Sequence, residues 1–201
     1  MSIGQLDYQL FQIINHLGVS VSFLNPLMRF FAQDAEYLFY LGIAVYWFTR
    51  REANRKMVAE ALVSACVGLL MSGLVGHFFY RDRPFVSHTV LQLIAHPANA
   101  SFPSDHAIGA FVIATSIWLF RRNDGKVWFG LAACIALSRV WTGVHYPTDV
   151  IAGAVIGMLA AAIVHQLIAR SKQVQKLRDA CIDVYEKLEA KVWPNTQKRF
   201  N

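Results

Sequence analysis

The sequence predicts an all-α integral membrane protein, a helical bundle of five or six transmembrane helices. Three observations carry that expectation. Of 201 residues, 55% are hydrophobic and only 16% are charged, whereas soluble domains carry about 25% charged residues. Apolar stretches recur that approach the roughly 20 helical residues needed to cross a hydrocarbon core about 30 Å thick. The basic residues cluster between those stretches. A chain of this length is one domain by default. Residues 1–170 read as the membrane-embedded part and 171–201 as a cytoplasmic amphipathic tail.

The elements follow in order. In the first 34 residues, Asn15, His16, Asn25, Pro26 and Arg29 interrupt the apolar pattern. One or two short amphipathic helices at the membrane surface are expected there, and a sixth, poor span is the alternative. Residues 35–49 form the first clear span. Residues 57–80 form the second, with Glu60 in its first turn. Residues 104–120 and 127–144 form the third and fourth. Residues 149–169 form the fifth and contain Gly153-x-x-x-Gly157, a spacing that lets helix backbones approach closely. In the tail, Val174, Leu177, Cys181, Val184 and Leu188 recur at alternating steps of three and four. That is the stripe of an amphipathic helix, which Pro194 is expected to end. The stripe suits the membrane surface or packing against the bundle. It is too short to favour a coiled coil, and no oligomer is predicted.

Charge orients the chain. Arg50, Arg51, Arg55 and Lys56 lie between the first two spans. Arg121, Arg122 and Lys126 lie between the third and fourth, and Arg170, Lys172, Lys176 and Arg178 follow the fifth. Basic loops remain in the cytoplasm, so segments 81–103 and 140–148 face outward together. Topology thus accounts for the net charge of +6, and no nucleic-acid partner is expected. The three cysteines, Cys66, Cys134 and Cys181, are scattered without C-x-x-C spacing and read as small apolar residues. The N-terminus has no basic stretch followed by an apolar core, so no cleaved signal peptide is expected.

The two outward segments hold the reactive side chains. The first contains Arg81-Asp82-Arg83-Pro84 and ends in Pro103-Ser104-Asp105-His106. The second contains Ser138-Arg139, His145 and Asp149. Arginine offers a planar fork matched to phosphate. A helix N-terminus offers free N–H groups and a positive dipole end, and Ser104 sits where a helix begins. Imidazole attacks phosphorus or donates a proton near neutral pH. Asp149, four residues after His145, is placed to accept a ring proton and leave the other nitrogen free, the base-and-orienter logic of catalytic triads.

Each residue also has a plainer reading. Arg83 suits an interfacial snorkelling role, and Ser104 and Asp105 suit helix capping. His88 and His96, with His106 and His145, raise the question of zinc. Compact spacing such as H-E-x-x-H is missing, so no metal is expected. His16 and His165 read as interfacial or packing residues, and Glu60 as non-catalytic. Asp34 and Glu36 lie near the outward end of the first clear span. They suit bundle packing or a reach toward the arginines.

In these residues the chain resembles the type 2 phosphatidic acid phosphatase superfamily. That family's signatures are a Lys six residues ahead of Arg-Pro, then Pro-Ser-Gly-His, then Ser-Arg followed by His and Asp at fixed distances. The third is complete as SRVWTGVHYPTD, residues 138–149. The second appears as PSDH, with Asp105 in the glycine position. The first keeps Arg83-Pro84 but holds Gly76 where the lysine belongs. DRPF followed by FPSDH looks like the bacterial undecaprenyl-diphosphate phosphatases, including the bacitracin-resistance type, and the likeness runs to about residue 170.

The resemblance implies metal-free, cofactor-free removal of the terminal phosphate from undecaprenyl diphosphate. His145 would be the nucleophile that becomes phosphohistidine. His106 would protonate the leaving group and then activate water, and Asp149 would orient His145. Arg83, Arg139 and Ser104 would bind phosphate, with Ser138 beside them. Arg81 is the first candidate to replace the missing lysine and His77 the second. Asp105 is expected to pair with an arginine or to hold the helix start. The partners implied are a polyprenyl diphosphate and membrane lipids. The location implied is the bacterial inner membrane, with the site facing the periplasm or exterior. Two other readings stay open: a phosphatase of phosphatidylglycerophosphate or phosphatidate, and an anion-recognising transporter.

Overall fold

The computed structural model describes residues 2–193, and the expected stop at Pro194 lies outside them. All regular structure among the described residues is helical. The helices are α1 (Ile3–Ser20), α2 (Asn25–Gln33), α3 (Glu36–Phe48), α4 (Glu52–Phe78), α5 (Pro84–Ser87), α6 (Asp105–Phe120), α7 (Arg122–Trp141), α8 (Pro147–Arg170) and α9 (Lys172–Val192). Two of them, α4 and α8, are long and apolar enough to cross a membrane. The other expected spans are shorter or carry charge: α3 has 13 residues, α6 has 16, and α7 opens on Arg122, Asp124 and Lys126.

Helix α6 is the centre of the bundle and packs against α4, α7 and α8. Its seam with α8 is made by glycine. A Cβ on Gly153 would lie 2.6 Å from the carbonyl oxygen of Ser104, and one on Gly157 would lie 2.6 Å from that of Ile108. The G-x-x-x-G pair therefore faces the N-terminal half of α6 and lets the two backbones touch. A second core joins α3, α4, α6 and α7 around Phe39, Met57, Ile117 and Ile135.

The N-terminal segment forms two helices joined by a 3-10 turn, Ser22–Leu24. Two of the polar residues that interrupt its apolar pattern, Asn15 and Asn25, tie it to the bundle. Asn15 donates to the carbonyls of Leu91 and Trp141 at 2.8 and 2.9 Å and accepts from the Leu91 N–H at 3.0 Å. Asn25 accepts from the Trp141 indole at 2.8 Å. Asn15, buried, and Asn25, half-buried, are thus hydrogen-bonding groups turned to the bundle, as polar groups must be when water is excluded, whereas His16, Pro26 and Arg29 are exposed.

The tail helix docks by a face other than its apolar stripe. It packs against α4 and α8, but Val174, Leu177, Cys181, Val184 and Leu188 stay exposed. The docked face combines buried Ile182, and Tyr185 against Trp47, with ion pairs. Arg55, 2% exposed, donates to Glu186 and Glu189 at 2.6 Å each. Glu60, 3% exposed, accepts from Arg178 at 2.6 Å and faces His165 at 2.7 Å. Glu60 and His165 are therefore partners in the structural contact that fixes the tail.

Candidate active site

The site lies at the end of the bundle where α4 finishes and α6 and α8 begin. The turn between α7 and α8 delivers His145. Gly143 makes that turn possible, with a φ of 81° and the Leu91 carbonyl oxygen 2.6 Å from where a Cβ would be. The His145 ring is almost wholly buried. Its Nδ1 lies 2.9 Å from the Ser101 carbonyl oxygen, and its Nε2 lies 3.0 Å from Nη1 of Arg83. Nδ1 donating and Nε2 accepting satisfies both contacts, because a guanidinium only donates. Burial is the main cause that holds the imidazole neutral and brings its pKa down to about 4.

Arg83 enters from the segment after α4. Besides His145 it reaches the Val144 carbonyl at 2.9 Å, the Asn99 side chain at 3.0 Å and the Ala100 carbonyl at 3.0 Å. It is 4% exposed, which rules out a snorkelling role. Burial lowers its pKa. Arg139 enters from the last turn of α7. Its Nη1 donates to the Ala32 carbonyl at 2.6 Å, while its buried Nε and Nη2 have no partner among the described residues. Ser104 is the N-cap of α6, yet its side chain makes no capping bond, and its Oγ is buried without a partner. Such atoms are rare in folded proteins and call for an explanation. The Arg139 charge acts on the His145 imidazole, and the Ser104 N–H donates to the Asp149 carbonyl at 3.1 Å.

Asp149 has no exposed surface. Its Oδ2 accepts from the Tyr146 N–H at 2.8 Å and the Ser101 hydroxyl at 2.5 Å. The same oxygen is 3.6 Å from His145 Nδ1. The nearer partner of that nitrogen is the Ser101 carbonyl, so Ser101 joins Asp149 in fixing the ring. Nothing in the sequence singled out Ser101, because its contribution is a backbone oxygen as much as a hydroxyl.

Other expected ligands are differently placed. Arg81 is occupied: it pairs with Asp7 at 2.7 Å and Asp149 at 3.1 Å, donates to Thr148 at 2.8 Å and stacks on Tyr146. In this structure the Arg81 guanidinium is thus committed to protein partners. Ser138 donates to the Ile135 carbonyl at 2.7 Å, within its own helix. His77 is exposed and packs against Phe78. At Gly76 a Cβ would stand 3.1 Å from the Phe102 carbonyl, so the loop backbone crowds the place where a lysine would start. Asp105 accepts a hydrogen bond from Ser72 of α4 and forms no ion pair with an arginine among the described residues. It holds the start of α6 to α4.

His106 lies in the first turn of α6, with Nε2 3.6 Å from Glu36. It borders a cavity of about 250 Å³ between α3, α4, α6 and α7, lined mainly by apolar residues such as Phe39, Leu69, Ala110 and Ile113. The His96 ring centroid is 6.2 Å from that of His145, closer than its isolated place in the loop suggested. Asp7, buried in α1, also went unnoticed in the sequence. It holds Thr148 as well as Arg81, with bonds of 2.9 and 2.7 Å to the Thr148 N–H and hydroxyl. An acid on the packed side of α1 was its only sign. No group of three or more His, Cys, Asp or Glu among the described residues is arranged to hold a metal.

The sequence model of the PAP2 superfamily matches residues 57–173. The chain belongs to the PAP2 superfamily. All three signature regions fall within the matched span, while Asp7, Ala32 and Glu36 lie ahead of it. Relatives outside the matched span agree over more of the chain. The chain is 37% identical to "Bacitracin transport permease protein BcrC" of Bacillus licheniformis, covering 98% of this chain and 96% of that one. It is 32% identical to "Undecaprenyl-diphosphatase BcrC" of Bacillus subtilis, covering 90% and 92%. Among solved structures, the PAP2 chain is similar to the crystal structure of Aquifex aeolicus LpxE. The TM-score is 0.69 at 26% identity, over 80% of this chain and 95% of that one.

Proposed function

We propose that this PAP2 protein removes the terminal phosphate from undecaprenyl diphosphate, without a metal, and returns undecaprenyl phosphate for envelope synthesis. The observation that carries the reading is the set of unpartnered buried donors, Arg139 Nε and Nη2 and Ser104 Oγ, beside a buried neutral imidazole. A phosphate would take those three bonds together with the N–H groups that open α6. Arg83 would move its Nη1 from His145 Nε2 to a phosphate oxygen, freeing the lone pair for attack. Charge on the equatorial oxygens would then face two guanidiniums in a dry site, where such stabilisation is strongest. Asp149 and Ser101 would keep Nδ1 protonated and Nε2 aimed at phosphorus. His106 would protonate the leaving oxygen, and then take a proton from the water that cleaves phosphohistidine.

The substrate follows from the relatives and from the cavity beside His106. An apolar cavity on the leaving-group side suits a lipid whose tail remains in the bilayer. The diphosphatase from Bacillus subtilis supplies the prenyl choice over phosphatidylglycerophosphate or phosphatidate. Recycling the carrier would favour bacitracin resistance. We read α3, α4, α6, α7 and α8 as five spans of the bacterial inner membrane. The site then faces outward, α1 and α2 lie at the outward surface, and α9 lies in the cytoplasm.

The permease in the name of the Bacillus licheniformis relative represents the transport reading. Charges gathered at one end of the bundle, away from its middle, favour hydrolysis over a transport path. Phosphate release from undecaprenyl diphosphate by purified protein, with chelator present, tests the choice. Release is expected, and His145→Ala should abolish it. Binding without release would defeat the proposal, and a strict need for magnesium would defeat its metal-free form.

A further inference from the structure

Glu36 opens α3, outside every signature and ahead of the superfamily match. Its Oε2 is 3.6 Å from His106 Nε2 and accepts from Tyr40, one turn on, at 3.4 Å. Glu36 and His106 share the apolar cavity described above. The groups whose charge acts most on His106 are Arg139 from α7, His145 from the α7–α8 turn, and Arg83 and His96 from the segment between α4 and α6, and Arg139 in turn feels the charge of Glu36. Asp105 precedes it on α6 and is tied to Ser72, and α4 presents Ala65 and Leu69 to the cavity. Nearby cations oppose protonation of an imidazole, and burial opposes it too. A general acid nevertheless has to carry its proton when the bond to the leaving group breaks.

We propose that Glu36 is a positioning residue that holds His106 as the imidazolium while the lipid leaves. The proposal rests on the phosphatase reading. With Nε2–H turned to Glu36, Nδ1–H is the proton available for transfer. As the His145 Nε2–phosphorus bond forms, the bond from phosphorus to the leaving oxygen breaks, and the Nδ1 proton goes to that oxygen. His106 is then neutral. The Glu36 charge, having lost its imidazolium partner, faces the lipid phosphate in the cavity and favours its departure. In the second half a water proton goes to Nδ1 as hydroxide attacks phosphorus and the phosphorus–nitrogen bond breaks. The Glu36–imidazolium pair is restored.

The test compares wild type, Glu36→Gln, Glu36→Asp and Asp34→Asn in detergent, with thermal unfolding as a check on folding. Steady-state rates are read from pH 5 to 9 on a short-chain polyprenyl diphosphate and on p-nitrophenyl phosphate, whose leaving group needs little help from a proton. The expected result is a kcat lower by about 10²-fold in Glu36→Gln, with KM changed little and the basic limb of kcat moved to lower pH. Glu36→Asp should recover part of the rate, Asp34→Asn should match wild type, and p-nitrophenyl phosphate should lose much less. A wild-type kcat and basic limb in Glu36→Gln would overturn the proposal. Equal losses on both substrates, or a loss confined to KM, would also overturn it. Wild-type protein that releases no phosphate from either compound would overturn the phosphatase reading itself.

Discussion

At the scale of single residues, the site is defined by what each donor lacks or has. Arg139 and Ser104 hold buried donors without partners, whereas Arg81 has four. Ser104→Ala should therefore cost one hydrogen bond to a charged ligand, about 1.5–3 kcal/mol. That is a fall of about 10- to 100-fold in kcat/KM with little change in unfolding temperature, read by phosphate release and a thermal melt. His145 should remain neutral as pH falls through the usual histidine range and take its proton only near pH 4, as read from ring nitrogen shifts. Its folded pKa lies below the unfolded value. The stability this contributes is therefore present above about pH 6.5 and is lost as pH falls toward the folded value. The residues legible in the sequence are those of the signatures, where chemistry and spacing coincide. Ser101, Asp7 and the Ala32 carbonyl were hidden, because a backbone oxygen or a lone acid far along the chain has no spacing to announce it.

At the scale of elements, the α6–α8 seam sets the position of the proposed phosphate cradle. Gly153 meets the Ser104 carbonyl and Gly157 meets that of Ile108. A methyl at either position overpacks the seam, at a cost of about 1–3 kcal/mol. The two should differ in kinetics. Gly153→Ala displaces the residue that offers the free hydroxyl, so it should lower kcat/KM as well as the unfolding temperature. Gly157→Ala should lower mainly the latter. The sequence displayed the glycine pair but not the surface it meets, since a spacing on one helix does not name its neighbour. The same gap left the docking of the tail open. Its apolar stripe was visible, while the ion pairs that dock it join residues more than 100 positions apart.

At the scale of the molecule, the two ends of the bundle carry separate tasks. The far end joins α9 to α4 through Arg55 and Glu60. Glu60→Ala leaves Arg178, mostly buried, without its main acceptor. Breaking one partner of a buried pair costs about 3–5 kcal/mol. The expected outcome is a lower melting temperature in detergent with kcat/KM intact. The helical class was legible from composition and from the charge between apolar runs. The span count was less so, because only α4 and α8 pass on length and apolarity. The near end is assembled from both sides of residue 57, where the superfamily match begins. Asp7, Ala32 and Glu36 come from one side, and Arg81, Arg139 and His106 from the other. A chimera that takes its first 56 residues from one homologue and the rest from another would therefore divide three contacting pairs between two ancestries. The Ala32 half is a backbone carbonyl that any residue supplies, so such hybrids should work where both parents carry the same residues at the Asp7–Arg81 and Glu36–His106 positions.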